Sequence, residues 1–492
     1  MFEVAELGQT VDKQEFEERI PDLRIGLLQA QQALLKADFP VVILVSGVDG
    51  AGKGDTVNLL NEWMDPRYLR TFAFGDKSDE ERERPEYWRF WRALPPKGHI
   101  GLYVGSWYSD PIADRVHDRL SDAELDGHLL RIKTFEQELV DDGALIIKFW
   151  LHLSKAEQKK RLKALADDPE TAWRVTPQDR RHLKLYDHFR RVAERTLRET
   201  STGQAPWTIV EGSDTRYRSL TIGQHILDRI RERLERGGEQ CRSGTISTPM
   251  RKRTLLDALD LSLSLPKREY KQELGQLQNR LSLLSRHARE QKVSSILVFE
   301  GWDAAGKGGV IRRMVPAMDA RGYQVIPIAA PTDEERAHHY LWRFWRHIPR
   351  AGFTTVYDRS WYGRVLVERV EQFAGDDEWM RAYAEINDFE EQLTDAGIVL
   401  MKYWVHIGKD EQLARFQARE QIPWKQHKIT EEDYRNREKW DQYEHAVNDM
   451  IERTSTEYAP WTLIEGNDKR HARVKAIRLF CERLERALDR EK

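Results

Sequence analysis

The stretch SILVFEGWDAAGKGG (295–309) opens with an apolar, β-branched run and closes on the pattern G-x-x-x-x-G-K, and a second copy, VVILVSGVDGAGKGD, occupies 41–55. Glycines in such a loop let successive backbone N–H groups turn toward one anion, while the lysine reaches over terminal phosphates. The apolar run reads as a buried parallel strand feeding the loop and a helix behind it. One loop of this kind is a weak signal. Two of them, each behind its own strand and 254 residues apart (301 less 47), predict a duplicated phosphate-handling module.

Both loops place glycine after the lysine, Gly54 and Gly308. Nucleotide-hydrolysing P-loop proteins carry Ser or Thr there to hold Mg²⁺. Another oxygen must then hold the metal, and the third residue of each loop, Asp49 or Asp303, is the candidate beside the phosphates.

The offset of 254 holds well beyond the loops. DEERERPEYWRFWRALPPKG (79–98) aligns with DEERAHHYLWRFWRHIPRAG (333–352), SWY (106–108) with SWY (360–362), and APWTIVEGSD (205–214) with APWTLIEGND (459–468). Apolar runs near 100–105, 145–151 and 207–211, and their partners in the second copy, add strands between helical patterns. Such alternation predicts a parallel sheet covered by helices in each half. GGEQCRSGTISTPMRK (237–252) has a linker's composition, which puts domains at 1–236 and 266–492 with a linker over 237–265.

Composition bounds the rest. A 492-residue chain with net charge −3 has no global basic field, so nucleic acid is not an expected partner. Its two cysteines, Cys241 and Cys481, form neither a zinc cluster nor a disulfide framework and suit a reducing compartment. No apolar run reaches membrane-spanning length, and the N-terminus is too acidic for a signal peptide. The expectation is a soluble cytoplasmic protein with no membrane partner.

The copies differ where charge matters. The second reads VYDRSWYGR (356–364), a strand ending in Asp358 with Arg359 and Arg364 just beyond, the place for a second metal-associated carboxylate and phosphate-binding arginines. At those columns the first copy has Val104, Gly105 and Asp110. Further on, Arg419, Lys425, Lys469 and Arg473 become Leu165, Thr171, Thr215 and Ser219. The C-terminal copy is therefore expected to be catalytic and the N-terminal one structural or regulatory. A cationic stretch, KDEQLARFQAREQIPWKQHK (409–428), puts Arg415, Arg419, Lys425 and Lys428 on a helix and turn that suit a lid over the P-loop. In EERAHHYLWRFWRHIP (334–349), Arg336 and Arg343 are expected to touch ligand, and Trp342, Phe344 and Trp345 to be helix core.

Together, GxDxxGKG (Gly301 to Gly308), YDRSWYxR (Tyr357 to Arg364), the stretch from Phe416 to Lys428 and that from Ala459 to Arg473 resemble polyphosphate kinase family 2. The duplication with a degenerate first copy resembles its two-domain, AMP-phosphorylating members. His427 departs from the family pattern, which has tryptophan there. The resemblance implies a three-layer P-loop kinase-like α/β fold in tandem, each parallel sheet having helices on both faces and a helical lid. It implies polyphosphate along Gly301, Ala304, Ala305, Gly306, Lys307 and Gly308 and along Arg415, Arg419, Lys425 and Lys428. It further implies Mg²⁺ at Asp303 and Asp358 and Arg359 and Arg364 on the nucleotide phosphate, to which the cationic run adds Arg336 as a nucleotide-binding candidate.

The expected reaction moves the terminal phosphate of inorganic polyphosphate to AMP, giving ADP, with positioning and electrostatics as the means of catalysis. ADP as acceptor, an ATP-dependent nucleoside monophosphate kinase and a non-catalytic polyanion-binding protein are the alternatives. The missing Ser/Thr and the long cationic run weigh against the ATP enzyme, and the metal carboxylates against simple binding. The two halves are expected to pack as an intrachain pseudo-dimer, compatible with further homo-oligomers.

Overall fold

The computed structural model describes residues 1–175, 177–236, 254–423 and 431–490, so the linker stretch 237–252, Lys425, His427 and Lys428 lie outside the described residues. The described chain forms two compact units, one gathering 1–77, 89–236 and 333–339, the other 78–88, 254–332 and 340–490. Each equivalent DEER-containing segment is thus counted with the unit otherwise built from the opposite half.

In the N-terminal unit the strands are β1 (Val41–Gly47), β2 (Leu69–Ala73), β3 (Ile100–Val104), β4 (Leu145–His152) and β5 (Trp207–Glu211), in the order β2-β3-β1-β4-β5. The C-terminal unit repeats them as β6 (Ser295–Gly301), β7 (Tyr323–Pro327), β8 (Thr354–Asp358), β9 (Val399–His406) and β10 (Trp461–Glu465), in the order β10-β9-β6-β8-β7. All pairings are parallel, as right-handed crossovers through helices require. The central strands are the apolar runs that precede the P-loops; Ile296, Leu297, Val298 and Phe299 are fully buried. The chain passes from β6 to β7 on one side and later crosses back from β8 to β9 on the other, so the P-loop emerges at a topological switch point, where open parallel sheets bind ligands.

A buried polar frame holds the segment after β8, and an identical one holds the segment after β3. Lys402, with no exposed surface, donates to Glu390 Oε2 (2.6 Å), Tyr362 OH (2.9 Å) and Thr454 O (2.7 Å). Trp361 Nε1 and Tyr362 OH donate to Glu390 Oε1 (3.0 and 2.7 Å). In the other unit Lys148, Glu136, Trp107, Tyr108 and Thr200 make the same bonds. The repeated SWY motif is therefore a structural anchor. Burial pushes the Glu390 carboxyl up and the Lys402 ammonium down, and their mutual attraction opposes both shifts.

Trp342, Phe344 and Trp345 are buried, in keeping with their reading as helix core. No helix among the described residues is long and apolar enough to cross a membrane.

Candidate active site

Gly301, at the end of β6, has φ +145°, and a Cβ there would stand 2.3 Å from Val405 O. Only glycine lets the chain turn this close to β9. The loop then runs through Ala304 and Ala305 to Gly306, which caps the helix Lys307–Met314 with φ +115°. Lys307 Nζ donates to Gly301 O (2.6 Å) and Trp302 O (3.3 Å), which holds the ammonium over the loop. Among the described residues it has no ion-pair partner.

Asp303 sits between two donors, with Arg359 Nη2 3.2 Å from Oδ1 and Asn436 Nδ2 3.1 Å from Oδ2. Asp358 ends β8, with Oδ2 3.7 Å from where a Cβ on Gly308 would be. A carboxylate thus stands beside the position that carries Ser or Thr in nucleotide-hydrolysing P-loop proteins. Behind the loop Glu300 accepts from Ser360 Oγ (2.8 Å), and burial raises its carboxyl despite Lys307 and that bond. Glu300 was missed in the sequence, although its charge inside an otherwise apolar strand, against Ser46 in the other copy, is a readable signal.

The predicted cations fall into separate groups. Arg415, on the helix Lys409–Glu420, is buried: Nη1 donates to Ala304 O (3.0 Å) and Ala305 O (2.7 Å), and Nη2 to Gly466 O (2.7 Å) and Asn467 O (2.9 Å). With Nε on Glu411 (2.6 Å), all five of its N–H groups are engaged. Arg415 therefore shapes the loop from behind and has no donor left for a phosphate, unlike its sequence assignment. Arg364 lies between Glu368 (3.2 Å) and Glu378 (3.7 Å), over the Tyr340 ring, and does not line the cavity at Lys307. Arg336 pairs with Asp333 in the segment counted with the N-terminal unit, and Arg343 Nη2 donates to Ala329 O (3.1 Å). Neither is among the residues that line the cavity at Lys307.

Arg419, Lys469 and Arg473 behave differently. None has an ion-pair partner among the described residues, and Arg473 reaches within 3.4 Å of where a Gly309 Cβ would be. Desolvation, then the charges of Arg415, Arg419 and Arg473, press the Lys469 ammonium below its ordinary range. This is a self-repelling cluster beside the helix start, which an anion would relieve. Lys307, Asp303, Arg359, Asn436, Trp404 and Tyr443 line a small adjoining cavity of about 80 Å³. One wall is made by Trp302, stacked on Trp440 with centroids 3.7 Å apart and donating through Nε1 to His406 Nδ1 (3.1 Å). Burial lowers His406 to about 4 and keeps it the neutral acceptor that the indole requires.

The polyphosphate kinase 2 family model matches residues 10–237 and again 264–492. The chain belongs to the polyphosphate kinase 2 family. It is 52% identical to a polyphosphate:AMP phosphotransferase of Pseudomonas aeruginosa with all of both chains covered. It is 38% identical to one of Acinetobacter johnsonii over 94% of this chain and 95% of the relative. A crystal structure of a polyphosphate kinase 2 from P. aeruginosa superposes with a TM-score of 0.89 at 50% identity over 100% of both chains.

Within this polyphosphate kinase 2 chain, the comparison of the two units gains a conformational argument. Ala304 and Arg359 have φ +62° and +66°, in the left-handed region, and their counterparts Gly50 and Gly105 have φ +78° and +71°. The N-terminal unit thus adopts the same backbone with glycine, free of the roughly 1–2 kcal/mol that a side chain costs there. Residues held in such sparsely populated backbone regions cluster at active sites, and Arg359 lies on the cavity beside Lys307. Arg359→Gly is expected to leave thermal stability within about 1 kcal/mol of the parent or above it, because strain relief offsets the unfolded-chain entropy of glycine. The same variant should lose phosphoryl transfer by about 10²-fold or more, as a removed transition-state donor does. Thermal unfolding and a transfer assay on one preparation check both.

The N-terminal unit is refitted around its loop. Asp49 accepts from His182 (2.6 Å); burial raises this carboxyl, but His182 and Lys53 outweigh it and bring it to about 2. Arg218, buried where the other unit has Ala472, donates to Ala51 O (3.2 Å) and Gly212 O (3.1 Å) and fills the space at Gly52.

Proposed function

We propose that the chain transfers the terminal phosphoryl group of inorganic polyphosphate to AMP, giving ADP and a polyphosphate shorter by one unit, and that the C-terminal unit carries out the transfer. The cations Arg419, Lys469 and Arg473, clustered near the first turn of the helix after the second P-loop without ion-pair partners among the described residues and replaced by Leu165, Thr215 and Ser219 in the other unit, carry this reading. Full-length similarity to relatives named polyphosphate:AMP phosphotransferase supports the choice of donor and acceptor. We place the two kinase-like modules at 1–236 and 266–492, joined by 237–265, in a cytoplasmic protein.

A phosphate oxygen of AMP attacks the terminal phosphorus of the donor; the new P–O bond forms as the anhydride bond breaks, and the released chain carries away the electron pair. An AMP phosphate, with second pKa about 6, is already largely deprotonated at neutral pH, so no strong base is needed. Lys307 and the backbone N–H groups of 304 and 306–308 hold the terminal phosphates, and Arg419, Lys469 and Arg473 extend the positive charge; Lys425 and Lys428, outside the described residues, are assigned to the same polyphosphate from the sequence alone. Arg359, held by Asp303, orients the acceptor phosphate. Arg415 positions the loop, and Arg364 positions the turn after β8 through Glu368 and Glu378.

Mg²⁺ suits this site. Asp303 and Asp358 are hard oxygen ligands, and among the described residues no cluster of three or more metal-ligating side chains occurs. Mg²⁺ is typically held by one or two carboxylates together with substrate phosphates, which is the set available here. Bound there, the ion would neutralise charge on the transferring phosphate.

The reading is tested by ADP formation from AMP, Mg²⁺ and long-chain polyphosphate, with ATP replacing polyphosphate in a parallel sample. ADP from polyphosphate is the expected result. ADP from ATP alone would make the protein a monophosphate kinase, and none from either would remove the proposed reaction.

A further inference from the structure

We propose that Asn436 is a positioning residue for the transfer: its amide fixes the Asp303 carboxylate with an uncharged donor, which leaves that carboxylate its charge for a divalent cation. The inference rests on the placement of Mg²⁺ at Asp303 proposed above and adds the residue that makes Asp303 fit to hold it. Asn436 lies on the helix Glu431–Glu438, half-buried, and lines the same cavity as Asp303, Arg359 and Lys307.

The loop aspartate is held differently in the two units. In the C-terminal one, Asp303 Oδ1 accepts from Arg359 Nη2 (3.2 Å) and Oδ2 from Asn436 Nδ2 (3.1 Å). In the N-terminal one, Asp49 Oδ1 accepts from Lys53 Nζ (3.5 Å), and Asp49 Oδ2 meets His182 Nδ1 at 2.6 Å. Asn436 and His182 occupy one column of the repeat. The partner of Oδ2 is therefore an amide, which never carries charge, in the unit that keeps Arg359, and an imidazole in the unit that has Gly105 there. A histidine beside a carboxylate readily takes a proton, and its bond is then charge-assisted and short. Such a partner does for the carboxylate what a metal would do. An amide fixes one lone pair and cancels no charge, and a carboxylate has about four such sites, so Oδ2 keeps room for a cation.

Asn436 is itself held in orientation. Its Oδ1 accepts from Tyr443 OH (3.3 Å), which turns Nδ2 toward Asp303. In the first copy the column of Tyr443 carries Phe189, so the amide and the hydroxyl that aims it are absent together. The next residue, Arg437, donates to Gln412 Oε1 (3.3 Å), and Gln412 Nε2 donates to Asp303 O (3.1 Å). Asp303 is thus gripped at its backbone by Gln412 and at its side chain by Asn436, and both grips lead back to the helix Glu431–Glu438. The backbone grip recurs in the other unit as Gln158 on Asp49 O (3.0 Å), but Arg437 has become Leu183. What the C-terminal unit alone has is the neutral, aimed donor.

The test counts free Mn²⁺ by electron paramagnetic resonance in mixtures of the full chain with AMP and imidodiphosphate, a short non-hydrolysable polyphosphate analogue, against a protein-free blank. Asn436→His keeps a donor to Asp303 and adds a charge, as in the other unit; Asn436→Leu keeps the shape and removes the donor. Each is expected to bind Mn²⁺ about tenfold more weakly than the wild type or worse, the loss typical when the partner of a metal ligand is changed. In turnover both variants should need correspondingly more Mg²⁺ for half-maximal rate, with folding checked by circular dichroism. A residue that merely braced its helix would behave otherwise, since Asn436→His, with its donor intact, would bind Mn²⁺ like the wild type. Wild-type Mn²⁺ affinity in either folded variant, or no binding by the wild type above the blank, would overturn the proposal. Asp303→Asn separates the two readings. If it weakens Mn²⁺ binding while the Asn436 variants do not, only the role of Asn436 falls; if it leaves Mn²⁺ binding unchanged, the placement of the metal at Asp303 falls and takes this inference with it.

Discussion

Lys307→Ala is expected to lower the rate of phosphoryl transfer by about 10²–10³-fold, the loss seen when a pre-placed stabiliser of developing charge is removed, whereas Lys53→Ala leaves the rate within about twofold. Both lysines bond to the carbonyls at the start of their own loops, so the contrast lies in what surrounds them. Lys53 also faces Asp49 and is flanked by a unit without Arg359, Lys469 or Arg473 equivalents. Lys307 has no carboxylate in ion-pair range among the described residues, and Arg473 of the cationic cluster reaches Gly309 in the same helix. Initial rates of ADP formation for the two variants, with folding checked by circular dichroism, decide the matter. Equal loss in both would end the division of labour between the units.

Lys402→Met is expected to destabilise the C-terminal unit by about 3–5 kcal/mol, because Glu390 would remain fully buried with its charge unmatched. Adding Glu390→Leu should recover only part of that loss. The double change removes the stranded carboxylate, but Trp361 Nε1 and Tyr362 OH then lose their common acceptor. Urea unfolding of the parent, the single and the double variant measures both differences. Recovery in the double variant beyond the parent would mean that the indole and phenol find other partners.

Much of the architecture was legible because its strands advertise themselves. β1, β3, β4 and β5 and their partners are apolar runs at constant spacing, and the P-loops mark which strand is central. β2 and β7 were not anticipated. They are sheet-edge strands, LRTFA and YQVIP, mostly half-buried or exposed, so no apolar run or clean alternation marks them. The grouping of 78–88 and 333–339 with opposite units is equally invisible, since the two segments share a sequence pattern.

The site was legible in its loop and carboxylates, less so in its arginines. Asp303, Lys307 and Arg359 do come together around one cavity. The arginines of 409–428 look alike as a charge run, yet Arg415 faces Gly466 O and Asn467 O, contacts more than fifty residues away that local spacing cannot express. Similarly, Arg364 meets Glu378 across a stretch of helix and loop that no motif records. Long-range partners, not residue type, separate a structural cation from one left for substrate.

The hydrogen-bonded anchor under the two SWY motifs is the same on both sides of the duplication, while the strand end feeding it carries Asp358 and Arg359 on one side and Val104 and Gly105 on the other. The frame and the reactive groups are thus separable parts. One copy could drift chemically while its framework stayed under the same physical demand to fold, so that the two halves keep one anchor and differ in the charges at the strand end. For the engineer the same separability reads in reverse, as a mount already cast for chemistry that has yet to be fitted.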